Sequence, residues 1–461
     1  MGKLRMMHLS RRHFLAMTAA AVLQPRTSGV RPEMIARSAR PVDREMPLEG
    51  FLDYLTPIDQ FFVRSHVYTP RVDVASWRLT IDGHVAAPLQ LTVADLRRMP
   101  VVDVVSVLEC AGNGRRFYEP PVAGLQWSHG AVGNGRWRGV RLKDVLSRAG
   151  VRASAKEVLF NGADAPIGTM PDFQRSIPIA KALEAHTLLA FEMNGQPLPI
   201  EHGFPLRVVV PGWAGDSWIK WVTSISVLDR EHDGFWMARA YRRPIDAVTP
   251  GAAVPLERTL PVTSLGVKSV IASPVDGDAI RTGTTTTIRG AAWSGDAGPV
   301  TAVDVSVDGG RNWSSATLPR SQRTDFGWRL WEYRWRPGDG AHTILARARD
   351  AAGAVQPLEQ QWNPSGYGWN VVPRVTIHVG GDGARVTPTT APTDSRRVEP
   401  PAPFKNACLI CHQDDVIRQQ RLTRAQWDAE LTKMIGWGAR VTEQDRVTLL
   451  EYLAAEFGPR P

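Results

Sequence analysis

Apolar and polar positions fall into short runs along the chain, and each run predicts one element. Trp77-Arg78-Leu79-Thr80-Ile81-Asp82-Gly83 alternates apolar with polar and closes on glycine, which reads as a strand ending in a turn. Residues 93–99 predict a short helix. Residues 101–108 are β-branched and apolar, a buried strand that delivers its end to Glu109-Cys110-Ala111-Gly112-Asn113-Gly114-Arg115. Residues 140–150 read as another short helix closed by Gly150, and residues 158–162 as a strand and turn. Residues 178–193 are apolar and fit helix or strand equally. Residues 204–210 are strand-like and lead into Pro211-Gly212-Trp213-Ala214-Gly215. Short helices mixed with short strands, without a repeating strand–helix unit, predict an α+β domain over 41–261.

Alternation takes over at residue 262. Residues 300–307 alternate and reach Asp308-Gly309-Gly310, a hairpin signal; residues 329–335 alternate again, as do Ile344, Ala346 and Ala348. Short strands at such intervals predict an immunoglobulin-like β-sandwich over 262–380. Residues 381–403 are glycine, threonine, proline and charge, a semi-rigid linker. Helical spacing returns at 423–434, with Trp427, Leu431 and Met434, and at 442–457, with Val447, Leu450, Leu453 and Phe457, so 404–461 reads as a small all-α module.

Composition narrows this outline. A chain of 461 residues with 43% hydrophobic content supports about three domains with sizeable cores. No run of 18 apolar residues occurs, so no integral membrane segment is expected. Within residues 1–40, Ser10-Arg11-Arg12-His13-Phe14-Leu15-Ala16 leads into an alanine-rich apolar stretch, the layout of a targeting segment, and it resembles a bacterial twin-arginine signal. Export to the periplasm, already folded around a cofactor, is the expectation. The net charge of +9 comes from arginines spread through the chain. That distribution speaks against a nucleic-acid partner and suits a small anionic substrate or an acidic protein.

The chain has three cysteines, too few for a disulfide framework. Cys408-Leu409-Ile410-Cys411-His412 is a c-type heme attachment sequence: two sulfurs for the porphyrin edge and an imidazole for the iron. A zinc site would need a second Cys/His pair. Met434, the last methionine and the only one after His412, is the candidate sixth ligand. A heme would also supply the apolar bulk that so small a module lacks. Cys110 lies between a buried strand and a turn of small residues, close to Arg115 and Arg116. It reads either as an ordinary core thiol or as a thiolate serving as soft metal ligand or nucleophile.

Ser106-Val107-Leu108-Glu109-Cys110-Ala111-Gly112-Asn113-Gly114-Arg115 closely resembles the molybdenum-binding segment of the sulfite oxidase family. So do Phe62-Val63-Arg64-Ser65-His66, Glu192-Met193-Asn194-Gly195-Gln196-Pro197-Leu198-Pro199, His202-Gly203-Phe204-Pro205-Leu206-Arg207, Lys220-Trp221 and Trp328-Arg329-Leu330-Trp331. The resemblance spans about residues 50–380. It implies the sulfite oxidase fold and a molybdenum held by one pyranopterin (molybdopterin) and by Cys110. It implies that Arg64, Arg115 and Arg329 surround an anion pocket with Tyr241, that His66, His202, Arg207 and Lys220 hold the cofactor, and that the β-sandwich makes a homodimer. With a c-type heme fused behind, the architecture resembles the family's bacterial sulfite dehydrogenases: sulfite would become sulfate by oxygen-atom transfer, and electrons would pass through the heme to a soluble cytochrome c or similar acceptor. Three departures stand out. Gly114 occupies a position where animal relatives carry arginine, Ser65 replaces the usual asparagine, and Trp213-Ala214 with Asp216-Ser217 change a stretch that binds cofactor or substrate in relatives. Competing expectations are a family member acting on another sulfur compound or oxyanion, such as a sulfur dehydrogenase of thiosulfate oxidation, and a non-catalytic electron-transfer protein.

Overall fold

Two five-stranded sheets form the α+β domain in a computed structural model, which describes residues 32–322, 324–380 and 399–459. The twin-arginine segment and residues 381–398 of the linker lie outside the described residues. In the first sheet Val101–Glu109 pairs with Val132–Arg141, which pairs with Leu188–Met193, all antiparallel. Val101–Glu109 is the buried strand the apolar run predicts. Its long partner is not predicted, because Gly133, Gly135 and Gly139 interrupt the alternation. Those glycines are steric: a Cβ at 133 would lie 2.6 Å from the Phe61 ring, and one at 139 would lie 2.0 Å from the Leu189 carbonyl oxygen.

The second sheet runs Leu89–Leu91, Leu79–Gly83, Val222–Leu228, Glu157–Gly162, Arg175–Pro178; only Leu79–Gly83 and Val222–Leu228 are parallel. Helix Val93–Arg97 opens on a capping box of Thr92 and Asp95, and helix Leu142–Ala149 ends on Gly150 at φ +70°. The ambiguous run 178–193 resolves into both options, helix Ile179–Ala182 and strand Leu188–Met193. The strand expected across 204–210 shortens to Arg207–Val209.

The β-sandwich packs Lys268–Ser273, Thr286–Trp293 and Arg329–Trp335 against a five-stranded sheet that contains Val300–Ser306, Gly340–Asp350 and Arg374–Val379. Ile288, Val303, Trp331, Ile344 and Ile377 fill its centre. A separate apolar cluster joins it to the first domain: Met46, Phe51, Val107 and Val132 meet Val270, Trp293 and Trp328. Phe51 stacks on Trp293 at 5.9 Å, and Val107 N donates to Phe326 O at 2.8 Å. Fully burying side chains of this size contributes about 1.5–3 kcal/mol each, which makes the junction as cohesive as a core.

Residues 404–459 hold one π-helical turn, Phe404–Cys408, and helices Asp415–Arg418, Arg424–Gly436 and Glu443–Glu456. The two long helices each start on a capping box, Thr423 with Gln426 and Thr442 with Asp445. Phe404, Leu422, Trp427, Leu431, Leu449 and Leu453 are buried between them. The described residues from 34 onward form one compact unit. The boundary expected at residue 40 is crossed by a hairpin, Ile35–Ser38 paired with Asp43–Glu45, which belongs to the folded body. Among the described residues no helix is long and apolar enough to cross a membrane.

Candidate functional site

Cys110 sits where the strand Val101–Glu109 leaves its sheet: its N–H still donates to Ala131 O at 2.9 Å, while its carbonyl accepts from Asn113 N at 2.9 Å to begin a tight turn. Gly114, in that turn, has φ +86°, and a Cβ there would lie 2.4 Å from the Trp369 ring, so this backbone excludes the arginine of animal relatives. The residue before the thiol is fixed from outside the domain. Glu109 accepts from Lys268 Nζ at 2.6 Å and Trp293 Nε1 at 2.7 Å, both on sandwich strands, and from Asn113 Nδ2 at 2.9 Å. The Glu109 and Lys268 side chains are each only 6% exposed.

Two cavities meet at Cys110. The smaller, about 70 Å³, is lined by Arg64, His66, Cys110, His202, Arg207, Lys220 and Tyr241, so it gathers the four residues expected to hold a cofactor. Arg207 Nη1 donates to His202 O at 3.0 Å and Nη2 to Trp218 O at 3.2 Å, and the guanidinium lies between the rings of Trp137 and Trp218 at 4.9 and 5.8 Å. It has no carboxylate partner among the described residues, its buried Nε has no hydrogen-bond partner, and burial pushes its pKa down to about 9. A buried cation with a spare donor calls for an anion. Burial pushes His202 down to about 3 and Lys220 down to about 7. Lys220 Nζ donates to Arg64 O, Ser65 Oγ and Glu201 O at 3.0, 3.2 and 3.0 Å, and so ties two loops of the pocket together. A soft thiol beside these groups fits a molybdenum–pyranopterin whose phosphate seeks buried donors.

The larger cavity, about 500 Å³, begins at Arg64, His66, Cys110, Arg115 and Tyr241 and ends at Cys408, Cys411, His412 and Met434. Arg115 donates through Nη1 to Leu125 O at 3.2 Å and through Nη2 to Ser365 O at 3.4 Å; it lies over the Tyr367 ring at 5.1 Å, and its buried Nε has no hydrogen-bond partner. Arg64 pairs with Asp43 at 3.3 Å, and burial raises Asp43 to about 6 against the pull of Arg64. Burial raises the Cys110 thiol too, against the pull of Arg64 and Arg115. His66 Nε2 and Tyr241 Oη are 2.7 Å apart. Burial first, then Arg64, drives His66 well below its usual range, and burial drives Tyr241 well above its own, so this hydrogen bond joins a neutral imidazole to a neutral phenol at pH 7.

Arg329 is a correction. It lies on the sandwich strand opposite Ala292, donates to Val300 O at 3.1 Å and Pro319 O at 3.2 Å, and lines neither cavity. The alternating strand pattern fixes a face but not which sheet that face meets, and this one faces sandwich carbonyls. Several residues in and around the pocket carry no sequence signal. Arg175, which lines neither cavity, forms an ion pair at 2.6 Å with Asp216 of the smaller cavity, both side chains 1% exposed, and lies 5.4 Å from the Tyr241 ring centre. Tyr367, from beyond the sandwich core, stacks on Tyr241 at 5.2 Å, and Asp164 reaches the smaller cavity from another loop. Tyr241 itself has φ +51°, a strained setting for a side chain of that size.

At the far end of the larger cavity His412 Nδ1 lies 2.8 Å from Gln413 O. A carbonyl only accepts, so Nδ1 carries the proton and Nε2 keeps its lone pair for a metal. Met434 is on helix Arg424–Gly436, as the helical spacing predicts, and lines the cavity. Trp427, Leu431, Ile417 and Leu453 add apolar walls. Two thiols, an imidazole, a thioether and apolar walls around this volume fit a c-type heme. The helical module is held in place: Thr169 Oγ1 donates to Gly436 O at 3.2 Å, Ala39 N to Asp415 Oδ2 at 2.8 Å, and Arg40 Nη2 to Leu409 O at 2.6 Å. Trp437 of this module stands 5.8 Å from Trp236 of the first domain, which is itself 5.0 Å from His66.

Residues 66–236 match the family model of the oxidoreductase molybdopterin binding domain, and residues 260–380 match that of the Mo-co oxidoreductase dimerisation domain. The chain is 38% identical over 364 residues to mitochondrial sulfite oxidase of Homo sapiens, a match covering 76% of this chain and 66% of that protein. It is 32% identical to sulfite oxidase of Arabidopsis thaliana, covering 76% of this chain and 95% of that one. The solved structure of the sulfane dehydrogenase SoxCD from Paracoccus pantotrophus superposes with a TM-score of 0.66 at 29% identity, over 78% of this chain and 93% of that one.

Proposed function

We propose, given that this chain belongs to the sulfite oxidase family of molybdopterin-binding oxidoreductases, that it is a sulfite dehydrogenase with a fused c-type heme. The larger cavity supports this reading, because its lining runs from Cys110, Arg64 and Arg115 to Cys408, Cys411, His412 and Met434. Bound at Cys110, a molybdenum on one pyranopterin supplies oxygen-atom transfer and takes up two electrons. Arg207, His202 and Lys220 would hold the pterin, and Cys110 Sγ would ligate the metal as thiolate, a form that metal coordination favours despite burial. Arg64 and Arg115 converge on the anion with fork-shaped donors and bind sulfite and sulfate in a set orientation. His66 and Tyr241, both neutral, add hydrogen bonding without adding charge. The net change consumes sulfite and water and yields sulfate, two protons and two electrons.

Cys408 and Cys411 would anchor the heme through thioethers, with His412 Nε2 and Met434 Sδ facing its iron, and electrons would leave singly toward a soluble cytochrome c or similar carrier. Export to the periplasm is supported by the twin-arginine sequence at Arg11-Arg12, and a homodimer by the match of 260–380 to a dimerisation domain. Anaerobic addition of sulfite to the purified holoenzyme tests the reading: stoichiometric reduction of heme absorption within milliseconds to seconds is expected. Protein that lacks molybdenum after full maturation, or a heme that stays oxidised in excess sulfite, overturns it. A second reading is favoured by the likeness to the sulfane dehydrogenase, namely a sulfane-sulfur substrate at the same centre. Reduction by a sulfane donor but not by sulfite selects it.

A further inference from the structure

The segment Gly124–Gln126 belongs to no helix or strand, so no ladder holds it. It is gripped from two sides. On the inner side Leu125 O accepts from Arg115 Nη1 at 3.2 Å, and a Cβ at Gly124, where φ is +111°, would lie 2.9 Å from that same nitrogen. The guanidinium therefore rests flat against this backbone. On the outer side Gly124 N donates to Gln420 Oε1 at 2.8 Å and Gln126 N donates to Gln419 Oε1 at 2.9 Å. Both glutamines belong to the C-terminal module, and both are braced from behind. Gln420 Nε2 donates to Val416 O at 2.9 Å, and Gln419 Nε2 donates to Asp415 O and Arg37 O, each at 2.9 Å. Gln126 staples the loop to itself through Val122 O at 2.9 Å and Gly124 O at 2.8 Å, which makes it move as one piece.

We infer that Gln419 and Gln420 are positioning residues for the anion pocket: by fixing Gly124–Gln126 they set Arg115, so the electron-accepting module also tunes substrate binding. The inference rests on the reading of Arg115 as an anion ligand. Its physical basis is short. Arg115 has one acceptor on this loop, and the loop has two outer hydrogen bonds through which the module can shift it. With those bonds lost, backbone that was pinned on both faces is pinned on one, and the guanidinium follows its acceptor away from the pocket. Gln426 offers a built-in contrast, since its Nε2 clips the same module to Pro121 O at 3.0 Å, outside the tripeptide that Arg115 touches.

The test uses full-length holoenzyme carrying Gln419→Leu, Gln420→Leu or, as contrast, Gln426→Leu, with heme and molybdenum contents checked against wild type. Three readouts are taken: KM for sulfite with ferricyanide as acceptor, the Kd of sulfate by calorimetry, and the rate of heme reduction at saturating sulfite. Each of the first two variants should raise KM and the sulfate Kd together by roughly threefold to tenfold, the span expected for one lost hydrogen bond, with kcat within about twofold of wild type. Gln426→Leu should leave both constants unchanged. Slower heme reduction with KM and Kd unchanged at Gln419 and Gln420 would mean that they only dock the module, and would overturn the inference. So would an equal rise in all three variants, which would mark general loosening. If wild type fails to oxidise sulfite, the functional reading falls while the sulfate Kd still decides the coupling.

Discussion

The carboxylate of Glu109, one residue before Cys110, takes its hydrogen bonds from Lys268 and Trp293 of the β-sandwich, so the strand end that presents the thiol is held by the second domain. Lys268→Met would leave that carboxylate buried without its cation. Unpairing a buried charge costs about 3–5 kcal/mol, and denaturant unfolding should show a loss of that order; Glu109→Gln should cost a similar amount, because it leaves the Lys268 ammonium buried without its carboxylate. Cys110→Ser should abolish sulfite oxidation while the visible absorption of the heme module stays at its wild-type form; sulfite turnover near the wild-type rate would remove Cys110 as the metal's ligand. At this scale Cys110, Arg64, Arg115 and His66 are legible because each sits in a short contiguous motif. Asp43 and Arg175 are not, because ion pairs between residues distant in sequence leave no local pattern. Arg329 shows the converse: a residue inside a good motif whose side chain the tertiary packing sends elsewhere.

Among elements, the two long helices of the C-terminal module begin on side-chain caps. Thr423→Ala removes the acceptor for Gln426 N and should lower the stability of the module by about 1 kcal/mol, measured by loss of its helical signal on heating. The sandwich turn after Val300–Ser306 depends on Asp308, which accepts from Asn312 N at 3.0 Å, Asn312 Nδ2 at 2.7 Å and Ser306 Oγ at 2.7 Å. Those bonds, led by Asn312, hold its carboxyl below the ordinary value of 3.8. A depressed folded-state pKa means that the contribution is complete above the unfolded value and is lost as pH falls through the folded one. The Tm gap between wild type and Asp308→Ala should therefore stay constant from pH 7 to about pH 4 and close only in stronger acid. The turn and the strands around it are legible, since a polar turn between alternating runs signals itself. Val132–Arg141 is not, because close approach of Phe61 and Leu189 demands glycines where a strand pattern wants apolar side chains.

For the whole molecule, the C-terminal module is seated by hydrogen bonds to residues 37–40, 121–126 and 169, with Trp437 against Trp236 and Phe235. Under the proposed function, a seated module need not travel before it accepts electrons. The rate of heme reduction by sulfite should thus be unchanged when sucrose raises the solvent viscosity several-fold, whereas a rate falling in inverse proportion would show that docking precedes every transfer. The outline of separate bodies was legible from changes in pattern along the chain. How the bodies fit was not, because polar contacts such as Gly124 with Gln420 join segments that share no local signal.

One of those seats has a consequence for biosynthesis. Ala39 N meets Asp415 and Arg40 meets the Leu409 carbonyl, partners 376 and 369 residues apart in sequence. During translation the stretch around Ala39 emerges early and can pair with residues 43–45, but its hydrogen bonds to the C-terminal module wait until the ribosome has made residues 409–419. Formation of the Ala39 and Arg40 bonds therefore reports that the polypeptide has been made through residues 409–415, although Ala39 and Arg40 themselves stay exposed. A chaperone or protease that reads an unpaired backbone N–H at Ala39 would distinguish truncated chains from those that have made Asp415.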